Sequence, residues 1–259
     1  MYNKTLLAVT LATAAIHAGL AQEPAATAPK PKWETTAAAG LTLTSGNSET
    51  FLATLTLDTK RKWEQDEFGA GLAFGYGESE VEVDDGAGGT ITSDEKTTQF
   101  GTVYTQYNHL FNDRLYAGLR ADAGYDTIAG VEYRVKVSPL VGYYFIKNEK
   151  TSLAGEIGPT YVLESLEDED TNDYIALRIA DRFEHKFSKT TKVWQNAEYL
   201  PDVENWTDKY LIIAELGVDA AITAKLSLRV VLQDTYDSQP AAGREHNDLR
   251  LIAGLAYKF

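Results

Sequence analysis

From Trp33 to Phe259, apolar and polar residues alternate at period two in one run after another. Between 131 and 145, Val131, Tyr133, Val135, Val137, Pro139, Val141, Tyr143 and Phe145 share one face of a strand. Glu132, Arg134, Lys136, Ser138, Leu140, Gly142 and Tyr144 share the other, so a charged face backs a wholly apolar one. Phe51, Ala53, Leu55 and Leu57 stand in the same way against Leu52, Thr54, Thr56 and Asp58. Leu226, Leu228, Val230 and Leu232 stand against Ser227, Arg229, Val231 and Gln233. Counting such runs predicts about twelve strands, at 33–45, 48–61, 67–78, 96–111, 114–127, 130–146, 150–163, 173–187, 190–201, 207–221, 225–236 and 247–259. Most exceed the five or six residues usual in a soluble sheet. Long strands in an even number suit an all-β fold, a single antiparallel transmembrane β-barrel of about 12 strands.

The connections alternate in length. With the N-terminus placed in the periplasm, the turns on that side are "RKWEQDE", "NDR", "IKNE", "SKT" and "ITAK". The other side carries "ESEVEVDDGAGGTITSDEK", "ESLEDEDTND", "PDVENW" and "YDSQPAAGREHND", with short exceptions at "SGN" and near "TIAG". Brief periplasmic turns and longer outer loops are the outer-membrane pattern. Trp33, Trp63 and Trp194 fall near periplasmic strand ends and Trp206 near an outer end, as aromatic girdles require.

The first residues, with Lys4 ahead of an apolar run from Leu6 to Ile16 and small residues up to Ala21, read as a secretory signal peptide at 1–21. "QEPAATAPKPK" at 22–32 reads as a Pro/Ala-rich linker, leaving one domain at 33–259. The chain has 24 Lys+Arg and 38 Asp+Glu; removing the signal takes only Lys4, so the mature charge is 23 − 38 = −15. Such a polyanion does not suit nucleic acid. With no cysteine, a disulfide framework is excluded, and stability must come from sheet closure and burial.

"GLTLTSGNSET" at 40–50, "DRLYAGLRADAGYD" at 113–126 and the closing "YKF" resemble the family catalogued as domain of unknown function 481. The resemblance runs from Trp33 to Phe259. Some members of that family carry a salt-induced outer-membrane label, so it implies a barrel linked to salt or osmotic conditions and offers no catalytic residue to carry over. The apolar ending at Tyr257 and Phe259 likewise resembles the C-terminal signal read by the bacterial barrel-assembly machinery, which makes that machinery an expected partner beside outer-membrane lipid and lipopolysaccharide.

By alternation the inward face carries Arg120, Asp122, Glu132, Arg134, Lys136, Glu156, Arg178, Arg182, Glu184, Lys186, Glu198, Glu215, Asp219, Arg229, Asp248 and Arg250, eight basic and eight acidic groups. Two accounts of this lining stay open. Either the charges pair across the lumen and plug it, or they segregate on two walls of a pore. The acidic stretches Glu78, Glu80, Glu82, Asp84, Asp85 and Glu164, Glu167, Asp168, Glu169, Asp170, Asp173 read as outer loops. They lack the spacing of an EF-hand; weak divalent-cation binding there is the functional alternative to a solvated surface. No cofactor, metal site or catalytic residue is expected.

The leading expectation is therefore a narrow passive pore or envelope protein and not an enzyme. A hydrolase acting on lipid or peptide is the alternative, and it needs His246 to approach Asp234, Asp237 or Ser238. The other histidines, His109 and His185, fall near periplasmic turns, with His185 toward lipid. A non-conducting structural barrel or adhesin is a third class, and a soluble periplasmic β-protein a fourth.

Overall fold

The computed structural model describes residues 33–44, 50–84 and 90–259. The expected signal peptide and linker lie outside the described residues. Twelve β-strands are formed: β1 Glu34–Thr44, β2 Thr50–Lys62, β3 Asp66–Asp84, β4 Thr90–Leu110, β5 Leu115–Asp126, β6 Val131–Lys147, β7 Thr151–Leu166, β8 Asn172–Lys186, β9 Thr191–Pro201, β10 Tyr210–Ala221, β11 Leu226–Asp237 and β12 Asn247–Lys258. Each pairs antiparallel with its neighbours in sequence, and β1 pairs with β12, so the sheet closes into a barrel. Closure gives every strand a neighbour on both sides, the condition for a sheet in hydrocarbon.

The seam between the first and last strands is short. It holds four registered pairs, Thr36↔Lys258 to Ala39↔Leu255, and below them Phe259 N donates to Thr35 O at 3.0 Å. The backbones there need glycine: a Cβ on Gly40 would come within 2.7 Å of the Ala253 carbonyl oxygen.

At the end where β1 begins and β12 finishes, the terminus end, the turns are 63–65, 111–114, 148–150, 187–190 and 222–225. At the opposite end, the longest connections are 202–209 and 238–246. The strand bounds follow the alternation closely except in one hairpin. β3 runs on to Asp84 and β4 starts at Thr90, where the sequence reading stops at 78 and resumes at 96. "ESEVEV" looks like a loop because it is acidic, yet it keeps alternating. Beyond Ser79, β3 leaves β2 and pairs only with β4, so this ribbon stands clear of the barrel, where neither face has to be apolar. A register shift at Gly77/Glu78 marks its start.

Around the outside, Leu55, Val103, Leu119, Val141, Ile157, Ile179, Leu216, Leu228 and Leu251 form an exposed apolar band. Exposed aromatics border it at both ends: Trp63, Tyr107, Phe145, Phe187 and Tyr257 at the terminus end, and Phe51, Tyr76, Tyr125, Tyr133 and Tyr161 at the loop end. A band of this kind aggregates in water and is stable in lipid, which makes the barrel one of the transmembrane type.

Candidate functional site

The inside of the barrel concentrates the charge. Its centre is Arg178 of β8, whose side chain is 4% exposed. Arg178 Nη1 donates to Glu156 Oε2 of β7 at 2.8 Å, and its Nε donates to Glu198 Oε2 of β9 at 2.5 Å. Glu198 Oε1 accepts from Lys136 Nζ of β6 at 2.6 Å. Glu156 Oε1 accepts from Tyr116 Oη at 2.8 Å and Gln106 Nε2 at 2.9 Å, and Arg182 lies 2.8 Å from it. Three cations thus share two carboxylates, leaving a net positive cluster. Charges so deep are tolerable only when every one of them is paired.

Apolar groups flank this network along the interior. Leu110, Tyr116, Leu140, Tyr144 and Ala154 lie to one side, and Val162, Ala176, Leu200 and Leu211 to the other. Gly142 of β6 has a structural reason: any Cβ there would strike the Tyr116 ring, which lies flat on the wall to reach Glu156.

Toward the loop end, ion pairs cross the lumen. Glu164 accepts from Arg134 Nε at 2.6 Å and Lys209 Nζ at 3.0 Å. Arg134 Nη2 also donates to Asp237 Oδ2 at 2.7 Å, joining β6 to β11, five strands away around the ring. Arg250 of β12 pairs with Asp126 at the end of β5, again across. The 238–246 loop adds Arg244, which is 2.5 Å from Glu167, and buries Ala241 against Gly130.

The remaining wall is more open. Arg229 Nε donates to Asp219 Oδ1 at 2.7 Å. Near the terminus end, Lys192 of β9 reaches Asp219 of β10 at 3.5 Å and Glu184 of β8 at 3.6 Å, with side chains of Lys192 and Glu184 30% and 31% exposed. Glu215 accepts from Gln233 at 2.5 Å. Beyond Glu67, the inward positions of β3 are Gly69, Gly71, Ala73, Gly75 and Gly77, and the rings of Tyr104 and Phe100 of β4 lie over Gly71 and Gly75.

Of the residues expected to line the lumen, the network unites Lys136, Glu156, Arg178, Arg182 and Glu198. Arg120 and Asp122 form a separate forked pair at 2.5 Å beside Gln106. Glu132 does not join the interior pairs: a bulge at Val131/Tyr133 interrupts the alternation, and it is exposed and accepts from Ser165 at 3.0 Å. Trp194 corrects the girdle reading, because its ring covers inward Gly217 and approaches Arg229 at 5.9 Å. Glu164, expected in an acidic loop, is an inward residue of β7. Sequence reasoning missed Gln106, Tyr116 and Tyr144 as partners of the charges; their signal was their place opposite the apolar face.

The hydrolase constellation is not assembled. His246 Nδ1 bonds the backbone carbonyl of Asp237 at 2.8 Å, and Asp237 holds Arg134. Ser238 Oγ accepts from Tyr210 N and donates to Asp208 O. His185 faces outward as expected, 2.8 Å from Thr151 Oγ1. Among the described residues, no group of three or more His, Asp and Glu is placed to hold a metal ion.

Comparison with known proteins gives a family and a fold. The family model described as "Protein of unknown function, DUF481" matches residues 37–259. No curated protein matches the chain. Among solved structures, the NanC porin is 7% identical, with 87% of this chain and 100% of that chain covered and a TM-score of 0.53. The KdgM porin is 10% identical over 88% of this chain and 99% of that one, with a TM-score of 0.45. The translocator domain of the autotransporter NalP from Neisseria meningitidis is 14% identical over 88% and 87%, with a TM-score of 0.39. The NanC likeness bears on the fold alone, an outer-membrane-type barrel.

Proposed function

The chain belongs to the DUF481 family, and from that premise we propose that it is a narrow passive pore of the bacterial outer membrane, with a path for small ions and solutes along one wall of its lumen. The observation that carries this reading is the asymmetry of the interior. Glu156 and Arg178 are buried in β7 and β8, with side chains 0% and 4% exposed, while Asp219 and Arg229 of β10 and β11 are 14% and 15% exposed on the inner face. A fully plugged barrel would bury both sets.

The apolar band, the aromatic girdles and the signal-like N-terminus support the location, with the terminus end in the periplasm and Tyr257 and Phe259 offered to the assembly machinery. Outer-membrane lipid and lipopolysaccharide are the surroundings this implies. The salt or osmotic link belongs to the proposal too: the pair closing the mouth, Arg244 and Glu167, is 36% and 51% exposed, so ionic strength screens it. The proposal includes no enzymatic role.

Single-channel recording of refolded protein in a planar bilayer, under a salt gradient, tests the reading. Small discrete current steps with weak ion selectivity are expected. Silence from protein shown to be folded and inserted would overturn the pore and leave a structural barrel.

A further inference from the structure

At the terminus end, on the outer face of β1 to β4, Arg61 differs from the arginines that line the lumen. Arg120, Arg134, Arg178, Arg182, Arg229 and Arg250 each hold a carboxylate inside the barrel. Arg61 of β2 sits on the apolar side of the alternation, in register with Phe68, and has no ion-pair partner among the described residues. Its guanidinium lies 4.7 Å from the Trp63 ring centre and 5.4 Å from that of Trp33. Trp33 meets Trp63 edge-on at 6.5 Å and Phe68 at 5.8 Å, so the cation is held in an aromatic cradle. Its Nε is shut off from solvent with no hydrogen-bond partner.

An anion stands beside the cradle. Trp63 N donates to Asp66 O at 2.7 Å, closing the hairpin and placing Asp66 opposite Trp63 across the turn. Asp66 Oδ1 accepts from Tyr107 Oη at 2.6 Å and lies 2.9 Å from His109 Nδ1. Cation and anion therefore flank Trp63, Arg61 against its ring and Asp66 across the turn from it, with no ion pair between the two, at the level of the aromatic girdle, where lipid headgroups meet a barrel wall.

We propose that this patch binds the headgroup of a zwitterionic phospholipid in the leaflet at the terminus end. The phosphodiester is taken by the Nη1/Nη2 edge of the Arg61 guanidinium, and the ammonium by Asp66 and the neighbouring ring faces. The acyl chains then run along the apolar band. A purely anionic headgroup would meet the Asp66 carboxylate, and free phosphate would lack both the ammonium and the chains. The inference rests on the membrane reading above.

The experiment is native mass spectrometry of the refolded barrel in detergent, offered phosphatidylethanolamine, phosphatidylglycerol or inorganic phosphate. Wild type is expected to retain phosphatidylethanolamine in preference to the other two. Arg61→Gln should lower that retention by about tenfold or more, and Arg61→Lys should fall between, having the charge without the fork. Asp66→Asn should erase the preference over phosphatidylglycerol. Unchanged retention in Arg61→Gln, or equal binding of inorganic phosphate by wild type, overturns the site. Heat-modifiable migration reports that each variant is folded. Flotation of wild type with vesicles reads the membrane premise separately, so its failure is not mistaken for failure of the headgroup site.

Discussion

The wall from β4 to β9 and the wall from β10 round to β3 have the same alternation and the same outward band, but they line the lumen differently. In the first, Tyr116, Thr160, Ser138, Glu156 and Arg178 are all nearly inaccessible, and charge, ring and aliphatic group interlock. In the second, the inward positions of β3 beyond Glu67 are glycine and alanine, and the Arg229–Asp219 pair has side chains 15% and 14% exposed against 4% and 0% for Arg178 and Glu156. Alternation decides which face of a strand points inward; the size of the inward residues decides whether that face closes the lumen. On the crowded side a charge is held among several partners; in the pore proposed above, the charges on the sparse side are the ones a passing ion would meet.

The largest effect that separates the two walls is on stability. Arg178→Gln removes a shared cation from Glu156 and Glu198 and should destabilise the folded barrel by about 3–5 kcal/mol, as read by denaturant unfolding in lipid. Arg229→Gln, on the open wall, should cost about 1–2 kcal/mol. Equal losses would break the comparison. The outer faces, by contrast, should respond alike: Ile157→Arg and Leu251→Arg each place a charge in the band and should each cost about 2–4 kcal/mol in the same assay. A cheap substitution at either would show a wall not in contact with lipid.

Conductance sharpens the comparison further. Lys192→Gln leaves Glu184 and Asp219 with less positive charge, so the reversal potential under a salt gradient should move toward cation selectivity. Ser138→Ala, within the crowded wall, should leave it where it was. The smallest effect is expected at the mouth. Arg244→Gln removes a partly exposed pair, which should change stability by less than about 1 kcal/mol and appear mainly as briefer closed times, as raised salt should for the wild type.

Much of the barrel was legible in the chain. The twelve strands follow from period two, and the inward set from Arg120 to Arg250 follows from the same parity. Glu132 escaped because a bulge resets parity locally, and Glu164 because an acidic run reads as loop even where its first residue is inward. The cross-lumen pairs, Arg134 with Asp237 and Arg250 with Asp126, were not legible at all. Alternation names a face but not the residue opposite, which depends on barrel shear and diameter. The Trp194 error has the same root, since proximity to a strand end says nothing about which face carries the ring.

The account stands on the claim that one wall is closed and the other carries the path. The chain contains no cysteine, so a single introduced thiol is an unambiguous reporter. Gln233→Cys on the open wall and Ser138→Cys on the crowded one should be recorded in planar bilayers while a charged, membrane-impermeant thiol reagent is added. The account predicts stepwise block of current with Gln233→Cys and none with Ser138→Cys. Block through Ser138→Cys, or indifference of Gln233→Cys in a conducting barrel, would contradict it.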